Sequence, residues 1–199
     1  MSTENAVLMQ NARESLRGKW GLAIGTFLVY IVISSSLQFI PFLGAAASLL
    51  ISGPFALGLA KFALSISRNE DTRLEHIFSG FNHFGTALAS YLLVTIFTLL
   101  WMLLLIVPGI IAAFSYSMTF FIINDEPTIG AMEAIDKSKK MMDGFKMKYF
   151  RMMLRFVGWS LLCILTLGIG FLWLIPYMQV SMAKFYEDVK ANSSLSATI

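Results

Sequence analysis

Three long stretches of this chain carry no charged residue: 20–60, 84–124 and 156–183, of 41, 41 and 28 positions. A helix needs about 20 predominantly apolar residues to cross the hydrocarbon core of a bilayer. The first two stretches are each long enough for two crossings. Each stretch has a break near its middle: Pro41 with Gly44, Pro108-Gly109, and Gly168-Ile169-Gly170. Pro and Gly are tolerated inside membrane helices, so the central position of these breaks, as much as their residue type, predicts turns. Reading each stretch as a hairpin predicts an all-α, polytopic membrane protein of six transmembrane helices. The third stretch is short for two crossings. It suffices if Lys148, Arg151 and Arg155 extend to the headgroups from inside the fifth helix. The alternative is one long third span with the C-terminus on the far side.

The polar segments between these stretches complete the pattern. Residues 127–143 predict an interfacial helix that starts at Asp125-Glu126-Pro127-Thr128 and turns Ile129, Met132, Ile135 and Met142 to one side. Residues 4–17 predict a second such helix, with Val7, Leu8, Ala12 and Leu16 inward. The whole chain reads as three copies of one unit, about 4–62, 68–124 and 127–186, within a single membrane domain over 1–190. Residues 191–199 are expected to form a disordered tail. Each unit has a short polar or amphipathic helix, a glycine (Gly18, Gly80, Gly144), an apolar span, a break and a second span. The glycines lie 62 and 64 positions apart. Because each unit crosses twice, the copies are expected to lie parallel. Pro54 and Pro176 fall inside second helices and, with Pro108, are candidate kink positions.

Composition agrees with this reading. Hydrophobic residues make up 57% of the chain and charged residues 14%, against about 25% charged in an ordinary soluble domain. All 27 charges fall in the blocks 1–19, 61–75, 125–155 and 184–190. With hairpins between them, the blocks share one side. Lys and Arg mark cytoplasmic loops, which places both termini in the cytoplasm. A cleaved leader is not expected, since the first apolar run starts only at Trp20 and is longer than the roughly 7–15 residues of a signal h-region. A net charge of +3 makes no case for nucleic acid. Seven basic residues against one acid lie between 137 and 155. Of these, Lys137, Lys140, Lys148, Arg151 and Arg155 are candidate contacts for anionic lipid, although basic residues beside a membrane also serve simply to fix topology.

Catalytic signals are missing. The predicted spans hold no ionisable residue of the kind that marks proton relays. His76 and His83 lack a second ligand cluster and read as loop residues. Cys163, the single cysteine, reads as a small buried hydrophobe. No phosphate loop, HExxH or GxSxG pattern occurs, and no cofactor is expected. The serines read as partners for helix backbones. Gly21-Leu-Ala-Ile-Gly25 matches the GxxxG packing pattern, with packing inside the monomer as the default and a dimer face as the alternative.

Val107-Pro108-Gly109-Ile110-Ile111, Tyr116-Ser117-Met118, Asp125-Glu126-Pro127, Ala134 and Ser138-Lys139-Lys140-Met141-Met142-Asp143-Gly144 together resemble the bacterial integral-membrane family catalogued as domain of unknown function 975. Ala12-Arg13, Leu16-Arg17-Gly18-Lys19-Trp20 and Gly53-Pro54 extend the resemblance over nearly the whole chain. The spacing from Ala134 to Gly144 is also similar to the membrane domain attached to some glycerophosphodiester phosphodiesterases, whose catalytic barrel has no room here. The resemblance implies a protein of the bacterial cytoplasmic membrane with about six spans, and it supplies no catalytic residues. The expected role is non-enzymatic and envelope-related, engaging membrane lipids or a membrane-protein partner. A small permease is the alternative, and a membrane enzyme the weakest reading.

Overall fold

The computed structural model describes residues 3–38 and 44–193. Among them are nine α-helices, one 3-10 helix and no strand. The helices are α1 (Asn5–Ser15), α2 (Trp20–Gln38), α3 (Gly44–Ser67), α4 (Phe84–Leu104), α5 (Ile106–Tyr116), α6 (Thr119–Asp125), α7 (Ala131–Met141), α8 (Lys146–Leu165) and α9 (Phe171–Asn192). The 3-10 helix, Leu74–His83, precedes α4. Three helical stretches are long and apolar enough to cross a membrane: Gly44–Ser67, Leu74–Leu104 (the 3-10 helix with α4) and Ile106–Asp125 (α5 with α6). The pair α1 and α2, bent by 93°, makes a fourth if counted together.

The short helices organise the packing. α1 lies on α9, the 3-10 helix on α3, and α7 on α4, α5 and α6. Each is thus seated on helices from the preceding apolar run, and the first closes on the last. α1 buries Leu8, Met9 and Ala12, with Leu16 beside it, while Val7 points outward. The expected inward place of Val7 is taken by Met9, because the buried stripe is rotated toward α9. In α7, Ile135 and Met141 are buried and Met132 is exposed. This helix begins at Ala131 rather than at Pro127, because Asp125 ends α6 and residues 127–128 form a turn.

The junction between α1 and α2 recurs between α7 and α8, 126 positions later. The Leu16 N–H bonds to the Ala12 carbonyl at 3.1 Å, and the Met142 N–H to that of Ser138 at 2.9 Å. The Lys19 N–H reaches the Leu16 carbonyl at 2.9 Å, as Phe145 does Met142 at 3.1 Å. Gly18 and Gly144 share a left-handed backbone, with φ of 81° and 78°, which only glycine adopts without strain. Gly80 is built differently. It lies in the 3-10 helix, where an added Cβ would sit 1.9 Å from the Pro54 carbonyl oxygen. A Cβ added at Gly58 would likewise sit 1.9 Å from the Ile77 carbonyl oxygen. Backbone therefore meets backbone where the 3-10 helix crosses α3.

The breaks are partly as expected. α8 and α9 meet at residues 166–170, where Gly168 has φ of 87°. The second break falls at Leu105, which is extended between α4 and α5. Pro108 is therefore not a kink inside a helix. It occupies the first turn of α5, where its missing N–H forfeits no helical bond. The Pro41 break lies outside the described residues. Pro54 and Pro176 lie within α3 and α9. A further break, at Ser117-Met118, has a clear cause. Ser138 of α7 is fully buried there. Its hydroxyl donates to the Ser115 carbonyl at 2.8 Å and accepts from the Met118 N–H at 3.2 Å, which interrupts the ladder between α5 and α6. α9 runs to Asn192, so positions 191 and 192 are helical rather than tail. The Asn192 amide caps the Asp188 carbonyl at 2.7 Å. Residues 194–199 lie outside the description.

Large apolar side chains are exposed around the turns. Leu103 is 88% exposed, Leu105 64% and Leu167 93%, with Leu99, Leu100, Ile106, Val107, Leu161, Ile164 and Leu165 beside them. Soluble monomers rarely expose contiguous apolar surface on this scale. Gly21 and Gly25 pack against nothing within 4 Å. The packed face of α2 is instead Ala23, Thr26 and Phe27, so among the described residues the GxxxG pattern meets no packing partner.

Candidate functional site

The ends of α3, α6 and α9 converge on a charged junction. Asp125, the last residue of α6, accepts from Arg68 just past α3 at 2.8 and 3.0 Å. It also accepts from the Tyr186 hydroxyl at 2.8 Å and from Lys190, both on α9. Arg68 turns its other contacts to Glu187, at 2.6 Å. The Tyr186 ring stacks on Phe121, centroids 5.4 Å apart. Asp125 is only 10% exposed. A carboxylate this buried requires several donors, and it has four hydrogen bonds from three residues.

A second pair anchors the N-terminal helix. The Asp188 carboxylate accepts from Lys148 of α8 and from the Thr3 N–H, the latter at 2.8 Å. The Asn5 amide donates to the Lys148 carbonyl at 2.7 Å. Burial alone would raise the Asp188 carboxyl. The Lys148 ammonium and the Thr3 N–H outweigh it and hold the group below its ordinary range. The pair therefore persists at neutral pH and is lost only as pH falls through that lowered value.

The five candidate lipid contacts are not gathered into one stripe. Lys137 pairs with Glu126, and Lys148 with Asp188. Lys140 and Arg151 are exposed. Arg155 faces a different neighbourhood, a cavity of about 800 Å³ which it lines with Arg13, Arg17, Glu14, Trp20 and Tyr177. A second cavity of about 320 Å³ shares Arg13, Trp20 and Tyr177 and continues between Trp159, Cys163 and Trp173. Sequence reading missed Arg13 and Arg17 as partners of Arg155, because 142 and 138 positions separate them. Their only local signal is two basic residues just ahead of Trp20, at the start of an apolar run.

A third cavity, of about 300 Å³, sits among α2, α3, α4, α6 and α9. Tyr30, Ser52, Tyr91, Ser117 and Gln179 contribute to its lining, which holds no charged residue. His76 lies 3.3 Å from the Ser65 hydroxyl. Among the described residues, no group of three or more His, Cys, Asp or Glu side chains is placed to hold a metal.

An all-helical chain with several apolar helices and broad exposed apolar surface is compatible with a membrane protein. The chain belongs to the family described as protein of unknown function (DUF975), which matches residues 1–113 and 102–193. No curated protein and no solved structure matches it, so the similarity to the phosphodiesterase membrane domain gains no support from these comparisons.

Proposed function

We propose that this chain is a six-span protein of the bacterial cytoplasmic membrane, with both termini in the cytoplasm, that works without catalysis by engaging anionic lipid on its cytoplasmic side. The observation that carries this reading is the separation of its surface. Exposed leucines, isoleucines and tryptophans surround the α4–α5 and α8–α9 turns. The ion pairs, α1 and α7 gather at the opposite helix ends. α8 and α9 are too rich in polar residues at their charged ends to pass as spans by composition. Their apolar portions nonetheless meet at a turn as exposed as the α4–α5 turn, which favours a third hairpin. The recurring α1–α2 and α7–α8 junctions, and the cyclic seating of the short helices, favour three related units around an axis along the membrane normal. A non-catalytic role is favoured by apolar runs that contain no Asp, Glu, His or Lys to serve as a base.

A second reading, a small permease, is favoured by one observation: the uncharged cavity lined by hydroxyls and Gln179 between the helices. Native mass spectrometry in mild detergent separates the two readings. The protein is expected to retain phosphatidylglycerol in preference to phosphatidylcholine when offered both equally. Retention of a small polar molecule with no lipid preference would favour the permease. A ligand-free protein would oppose both.

A further inference from the structure

α2 and α8 both pack on α9 but scarcely touch each other. The space between them is a lateral groove floored by α9. Its apolar wall is aromatic: Trp20 from α2, Trp159 from α8, Trp173 and Tyr177 from α9. Three of the chain's four tryptophans line it. At its charged end α1 folds across at 93° to α2. Arg13 of α1 and Arg17, in the turn that follows α1, line the same cavity as Arg155 of α8. Against these three cations the cavity holds one acid, Glu14, whose carboxylate already accepts from Gln10 at 3.1 Å. Among the described residues none of the three arginines forms an ion pair.

From this arrangement we infer a binding site for one anionic phospholipid, its phosphate held among Arg13, Arg17 and Arg155 and an acyl chain laid between Trp20, Trp159 and Trp173. The inference rests on the lipid-engaging reading above and gives it a location. Arginine suits the role because its planar guanidinium binds phosphate oxygens bidentately. Tryptophan suits the level just below, where an apolar ring and a polar N–H meet the interface. The charged mouth opens directly into the apolar groove, sharing Arg13, Trp20 and Tyr177 with it. That continuity selects an amphiphile over a free phosphate, which has nothing to place against the tryptophans. A fainter copy supports the reading. Lys139 and Lys146, 126 positions beyond Arg13 and Trp20, line a cavity of about 220 Å³ with Trp101 and Tyr116. Lys139 takes the place of Arg13, but Lys146 falls on Trp20 and Asp143 on Arg17, so the larger groove is assigned as the site.

Tryptophan quenching by lipids brominated on their acyl chains tests this. In Trp101→Phe protein reconstituted in mixed bilayers, the emission comes from the three groove tryptophans alone. Brominated phosphatidylglycerol is expected to quench with an apparent affinity about fivefold or more above that of brominated phosphatidylcholine. Replacing Arg13, Arg17 and Arg155 with Gln should bring the ratio to about one. All three are exposed, so the fold should survive, and the single variant Arg155→Gln should show a partial loss. Lys140→Gln with Arg151→Gln should leave the ratio intact. If that double variant abolishes the preference and the arginine variants do not, lipid engagement stands and the groove assignment falls. If neither lipid is preferred here or in native mass spectrometry, the lipid-engaging reading itself falls.

Discussion

Gly58→Ala is expected to be among the most disruptive single substitutions in this chain. The added methyl would lie 1.9 Å from the Ile77 carbonyl oxygen and 2.5 Å from its carbon. Both are backbone atoms, so no side-chain rotation relieves the clash. The 3-10 helix must move off α3, and with it go Ile77, fully buried, and the contacts of Phe55 with Phe78 and Phe81. Overpacking a tight core costs about 1–3 kcal/mol and occasionally more. A backbone-on-backbone clash belongs at the upper end, about 3 kcal/mol, with a markedly lower midpoint of thermal unfolding in detergent. Gly21→Ala is the matched control, since a Cβ there meets nothing within 4 Å. It should change stability by no more than about 0.5 kcal/mol. If Gly21→Ala destabilised and Gly58→Ala did not, the crossing of the 3-10 helix over α3 would be wrong.

Asp125→Ala should come next. Removing one partner of a fully buried ion pair costs about 3–5 kcal/mol, because the other charge is left without a counterpart. Here Arg68 is 31% exposed and Lys190 43%, so both can regain water, and the expected loss falls to about 2–3 kcal/mol. Arg68→Ala should cost less than Asp125→Ala, since Asp125 keeps Lys190 and Tyr186 when Arg68 is gone. The reverse order, measured by unfolding in detergent, would show that Arg68 and Glu187 hold the junction rather than Asp125.

The residues that made the fold legible were the charge-free runs and the glycines. Gly18 and Gly144 could be paired from spacing alone because each ends a short helix in the same left-handed turn. Gly80 could be placed by spacing but not explained. It is glycine because of Pro54, 26 positions away. Pro108 misled because proline marks both kinks and first turns, and only the extended Leu105 decides between them. Ser138 looked like part of a basic segment. Its role, holding open the break at Met118, depends on a contact across 20 residues that no local pattern encodes. The same limit applies to the groove. Arg155 was visible as a basic residue at the start of an apolar run, but its neighbours Arg13 and Arg17 reach it only because α1 closes on α9. The junction of Arg68, Asp125, Glu187 and Lys190 stayed hidden because each residue, read alone, is an ordinary charge near the end of a helix.

The proposed topology has three hairpins entering the membrane from the cytoplasmic side. The most direct test places single cysteines at Leu105, Ile169 and Lys140 in a Cys163→Ser background and adds a membrane-impermeant maleimide to intact cells. With that topology, Leu105→Cys and Ile169→Cys are expected to label from outside, and Lys140→Cys to react only after the cells are opened. Labelling of Lys140→Cys in intact cells, with both turn positions protected, would contradict it.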